Sequence, residues 1–216
     1  MQTENDLNSV PNAVIWKRQN MSMKKTEIFL IAAGLISVFL NLYMLRISLV
    51  PLVWTFVALT MFYGYFSFAL FNDITFKEIS KKQYLTDRNQ KYIRLGRING
   101  KAIAVMVIGL LFTLMAWPWA TIFLCAGILG LIVMSVRLYL NYSATKNPFY
   151  KSILIRTVLW AAAGLVLFVE KEDMMLFKYR EYPAFISVYQ QSLRNSDSEV
   201  LQEQVDIERR KIYTKK

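Results

Sequence analysis

Histidine is absent from the 216 residues, and cysteine occurs once. The first absence removes the commonest general base, the commonest zinc ligand and the one side chain that ordinarily titrates near neutrality. Serine or cysteine hydrolase chemistry of the usual kind is therefore not expected. A lone cysteine cannot form an internal disulfide, and Cys125, beside Leu124 and Ala126-Gly127, sits in an apolar run where a thiol serves as a small hydrophobe. Acidic residues are scarce too, 15 against 26 Lys plus Arg. Enzyme signatures are missing: there is no His-Glu-x-x-His, no Gly-Lys-Ser/Thr phosphate loop and no Gly-x-Ser-x-Gly elbow. The nearest approach, Gly96-Arg97-Ile98-Asn99-Gly100, lacks the rest of a phosphate-loop signature and precedes an apolar run, so it reads as a flexible connection. No catalytic, metal-binding or cofactor-binding residue is assigned. The chain is expected not to be an enzyme and to need no cofactor.

What the chain has instead is long apolar runs. Residues 28–45, 49–71, 102–117 and 119–136 are each close to the roughly 20 residues with which a helix crosses a bilayer. Over the chain 55% of residues are hydrophobic, gathered in blocks where a soluble domain would distribute them periodically. The expected fold is an all-α polytopic bundle. Arg46-Ile47-Ser48 and Pro51 imply a tight hairpin between the first two runs, proline being tolerated in the opening turn of a helix. Trp117-Pro118-Trp119 implies a second hairpin, with Trp117 and Trp119 assigned to the membrane interface, where an indole keeps its ring in lipid and its N–H near water.

A fifth span, 153–169, is expected although Arg156 interrupts it. Near the end of the segment, Arg156 can extend its guanidinium to the headgroups, which assigns it also to the interface. The interiors of the first four runs hold no Asp, Glu, Lys or Arg, and their polar members, Asn41, Thr55, Thr60, Ser67, Thr113, Thr121 and Ser135, suit interhelical hydrogen bonds. Small residues at Ala126 and Gly130 permit close helix approach.

Charge sets the expected orientation. Lys77, Lys81, Lys82, Arg88, Lys91, Arg94, Arg97 and Lys101 outweigh Asp73, Glu78 and Asp87 between the hairpins, so by the positive-inside rule this loop is cytoplasmic. Seven segments follow: a cytoplasmic 1–27, with Met21 and Met23 as alternative expected starts; hairpin 28–71; basic loop 72–101; hairpin 102–136; cytoplasmic connection 137–152; fifth span 153–169; and a tail, 170–216, on the far side. The first run is longer than a signal-peptide core and reaches Leu45 without a small-x-small site, so it is expected to be retained. The setting that fits is a bacterial cytoplasmic (inner) membrane.

The tail carries two amphipathic helix signals. Tyr182-Pro183 opens one with the stripe Phe185, Ile186, Tyr189 and Leu193; Ser196 and Glu199, at capping-box spacing, open another carrying Val200, Leu201, Val205, Ile207 and Ile212. Helices this short are marginal alone, so the stripe Phe185, Ile186, Tyr189, Leu193 is expected either to bind a partner or to pack on its own bundle. The expected function is that of a non-catalytic membrane subunit of a larger, secretion-type or other envelope-spanning assembly. The alternative is a small homo-oligomeric pore. Its expected partners are the lipid bilayer, other membrane or envelope subunits and a second copy of itself. Nucleic acid is not expected, because the cations flank apolar runs and the aromatics Tyr84 and Tyr92 among them fit attraction to anionic headgroups.

Overall fold

The computed structural model describes residues 12–43, 49–74, 79, 90–117, 119–195 and 198–214, with side chains for those between 23 and 212. Among the described residues there are seven helices and no strand: α1 (Asn12–Tyr43), α2 (Leu49–Phe71), α3 (Gln90–Leu114), α4 (Ala120–Thr145), α5 (Pro148–Lys178), α6 (Pro183–Arg194) and α7 (Glu199–Thr214). The first five contain stretches long and apolar enough to cross a membrane, Met23–Tyr43 in α1 and the whole of α2 to α5. Their outward faces carry large apolar side chains, among them Phe29, Phe39, Trp54, Val133, Leu159 and Val166. A surface of this kind is untenable in water and natural in lipid. The chain is an integral membrane protein built as an all-α bundle.

Consecutive helices pack as hairpins around α3, the most buried of the five. Its buried positions Ile93, Gly96, Gly100, Ile103, Val107 and Leu110 recur at three- and four-residue spacing, which places them on one face. Residues 90–101, expected as loop, continue that face without a break and so belong to the helix. Glycines set the distances. A Cβ on Gly100 would lie 2.5 Å from the Tyr63 carbonyl oxygen of α2, and one on Gly109 2.8 Å from Leu124 Cα of α4. On α4 the seam toward α3 runs through Gly127, whose Cβ would lie 2.7 Å from Met106 Cα, while Ala126 faces outward.

The expected connection 137–152 is helical on both sides of a two-residue turn at 146–147. Lys146 takes a left-handed φ of 53° and its N–H closes on Tyr142 O at 2.7 Å; the Asn147 side chain then accepts from Phe149 N at 2.9 Å, ahead of Pro148. This is a C-cap followed directly by an N-cap with proline in the first turn. The fifth span is one continuous helix of 31 residues, running through Arg156 and on through Glu170, Glu172 and Asp173. The turn between α3 and α4 holds Trp117 and Trp119, both exposed, with the Trp117 ring 5.1 Å from Phe112. Pro118 and the Arg46-Ile47-Ser48 turn lie outside the described residues, as do residues 75–78 and 80–89 of the basic loop.

The tail forms the expected pair of short helices, α6 and α7, packed on each other. Ser196, the expected cap, lies outside the described residues; Ser198 Oγ accepts from Leu201 N at 3.4 Å and so stands at the start of α7. Around this pair a second small core forms from Met175 and Tyr179 at the end of α5, Phe185 of α6 and Ile212 of α7.

Candidate functional site: an ion pair joining the first and fifth spans

Glu27 immediately precedes the first apolar run, where it reads as part of the polar N-terminal segment. In the fold it is inside the first candidate span and only 4% exposed. Its carboxylate faces Arg156 of α5. Arg156 Nε donates to Oε1 at 2.9 Å and lies 3.2 Å from Oε2, which Nη2 also reaches at 3.1 Å. The remaining nitrogen, Nη1, donates to Ser152 Oγ at 2.8 Å and to Ser152 O at 3.2 Å. Phe71 of α2 lies beneath the guanidinium, 5.9 Å from ring centroid to Cζ.

A third helix joins through a hydroxyl. Tyr63 of α2 donates to Glu27 Oε1 at 2.8 Å and accepts from Trp160 Nε1 at 3.2 Å, its ring edge-on to the indole at 5.7 Å. One residue beyond Arg156, Thr157 Oγ1 donates to Ile153 O at 2.8 Å and lies 3.0 Å from Asn99 Oδ1 of α3. Ser67 Oγ and Asn99 Nδ2 are buried with no hydrogen-bond partner. The polar residues of four spans thus share one level of the bundle, near the end that holds the 146–147 turn.

Removing two charges from water costs several kcal/mol per ion, and attraction offsets this only where geometry is good and the other donors and acceptors are occupied. Both conditions are met here. Oε1 accepts from two groups, and every nitrogen of the guanidinium has an acceptor. Arg156 keeps 23% of its side chain exposed, so one edge stays near the interface to which it was assigned, while its charge is balanced from within. The pair explains why α5 runs unbroken through Arg156. Chemically the arrangement is a clasp: the carboxylate is engaged on both oxygens and the hydroxyl is used in both directions.

A second set of contacts holds the tail. Lys178, 3% exposed, donates its Nζ to Leu114 O at 2.7 Å, and Arg209 of α7 donates to Ala116 O while pairing with Asp206. Leu114 is the last residue of α3 and Ala116 lies in the turn just after it, so both cations meet carbonyls at the negative end of that helix, where positive charge is favoured. The stripe assigned to partner binding divides. Phe185 is buried, 4.3 Å from the Tyr179 ring and stacked at 5.8 Å on Tyr189. Ile186 and Tyr189 pack partly buried against the same small core, and burial, with Glu172 second, pushes the Tyr189 hydroxyl above its usual range. Leu193 alone of the four is exposed.

Glu27, Tyr63, Trp160 and Lys178 escaped the reading of the sequence. The usable signal was Glu27 and Arg156 as opposite charges at the same end of two spans. No protein-family model matches the chain, and neither any curated protein nor any solved structure is significantly similar to it.

Proposed function

We propose that the chain is a non-catalytic subunit of a larger membrane or envelope-spanning assembly, and that its cap, α6 and α7, is the surface presented to the other components. The observation that supports this is the double-faced character of α7. Val205 and Ile212 turn inward to the small core, whereas Val200 and Ile207, also at i, i+7 spacing, lie on a different face and are 65% and 43% exposed. Arg209 binds the cap to the turn after α3, and Phe185 and Ile212 join it to Met175 and Tyr179 at the end of α5, so this outer face is held in a defined position. A preorganised surface loses less entropy on binding than a free tail does. The basic end of the bundle sits in the cytoplasm and the cap on the opposite side of a bacterial inner membrane, in keeping with the clustering of cations.

The test is affinity purification of the full-length protein in mild detergent, alone and as Val200→Ser/Ile207→Ser. Another membrane protein should co-purify stoichiometrically and be lost from the variant, with helix content unchanged. Retention of that partner by the variant would remove the cap from the interface. Elution as a ring of this chain alone, with ion flux in liposomes, would replace the subunit reading with a pore.

A further inference from the structure

At the basic end of the bundle a cavity of about 280 Å³ opens between α3, α4 and α5. One wall is a single face of α3: Lys91, Arg94 and Ile98 follow at i, i+3 and i+7, all exposed. The opposite wall is Arg137 and Asn141, one turn apart on α4. Tyr150 of α5, buried, closes the floor.

Three cations from two helices meet across this space. Among the described residues neither Arg94 nor Arg137 has an acidic partner. Asn141 uses an amide N–H on Arg137 O at 2.7 Å, which holds it on the same turn as the guanidinium and leaves its second N–H for another acceptor. The level is equally specific. Arg137 directly follows Val136, the end of the fourth apolar run, and Ile98 stands one turn before Ala102, where the third begins. The cavity therefore spans the boundary between hydrocarbon and headgroups, with cations on its polar side and Ile98 and Leu95 on its apolar side.

We propose that this cavity binds the phosphate of an anionic phospholipid, its headgroup between Arg94 and Arg137 and its acyl chains passing outward over Ile98. Forked guanidinium donors suit phosphate oxygens. Basic pockets between transmembrane helices are suited to such headgroups. A bound anion relieves the repulsion between Arg94 and Arg137 and ties α3 to α4 at the end remote from the tryptophan turn. A soluble phosphate would meet the same cations but would gain nothing from Leu95 and Ile98.

Native mass spectrometry of the delipidated full-length protein, in a non-ionic detergent, separates these sources. Phosphatidylglycerol, phosphatidylcholine with the same chains, and inorganic phosphate are added in turn. One phosphatidylglycerol should be retained preferentially over phosphatidylcholine, and Arg94→Gln/Arg137→Gln should weaken that retention about tenfold or more, at about 1 kcal/mol per cation removed. The control Arg97→Gln/Lys151→Gln removes the same charge from the same end and should leave retention unchanged. Arg137→Gln alone decides the matter if the double variant does not fold, and should show a smaller loss. Equal retention of the two lipids, equal loss in the control, or displacement of phosphatidylglycerol by millimolar inorganic phosphate would each overturn the proposal.

Discussion

The Arg156 guanidinium closes on the Glu27 carboxylate across 129 positions of sequence, with Nε 2.9 Å from Oε1, and thereby fastens the last span of the bundle to the first. Each is tolerated because the other is there. Removing one leaves an uncompensated charge at the level of the bilayer, whereas removing both leaves none.

Comparison of a single with a double substitution should show this. Glu27→Ala alone is expected to cost about 3 kcal/mol, the low end for a broken buried pair, because Arg156 retains some access to the interface. Glu27→Leu/Arg156→Leu is expected to recover most of that loss. Thermal unfolding in detergent measures both; a Glu27→Ala protein as stable as the parent would mean that the pair carries no structural weight.

Tyr63→Phe keeps the ring and deletes the hydroxyl that links Glu27 to Trp160. A loss of about 1.5–3 kcal/mol is expected, that of a hydrogen bond to a charged group. The effect should shrink in a Glu27→Leu/Arg156→Leu background, since contacting residues are not additive. Full additivity would place Tyr63 outside the clasp.

Helix approach gives a sharper contrast. Gly109→Ala sets a methyl 2.8 Å from Leu124 Cα and must push α3 and α4 apart, whereas Gly64→Ala meets nothing nearer than Ala104 Cβ at 3.9 Å. The first should lower stability by about 1–3 kcal/mol, typical of overpacking, and the second should be near neutral. Similar melting temperatures for the two variants would contradict the packing of that seam.

Limited proteolysis reports on the cap. Lys178→Met removes the bond to Leu114 O, and Phe185→Ser/Tyr189→Ser empties the small core, with a Phe truncation costing about 3–5 kcal/mol. Both should speed cleavage around residues 179–182 while the spans stay protected. Unchanged cleavage would mean that the cap is held elsewhere.

Orientation is open to direct labelling. In a Cys125→Ser background, a cysteine at Lys91 should be shielded from an impermeant thiol reagent in intact cells, and a reporter active only outside the cytoplasm should be active when fused after Lys216. Labelling at 91 before lysis would invert the topology. An inactive but well-expressed fusion would place the cap beside the basic end.

The sequence by itself determined the class of fold, the number of spans and the two tail helices, because hydropathy and three-to-four-residue periodicity are local properties. It also held, in Asn147-Pro148, a cap signal for the tight turn between α4 and α5. That signal was masked by the cations on either side, which read as a connection. The partnership of Glu27 with Arg156, the use of Lys178 and Arg209 on the end of α3, and the division of the tail stripe into buried Phe185 and exposed Leu193 depended on tertiary structure. Each follows from how helices are rotated and stacked against one another. A carboxylate at the edge of an apolar run is a flanking charge in one dimension; only when α5 lies beside α1 does it become the inner half of an ion pair.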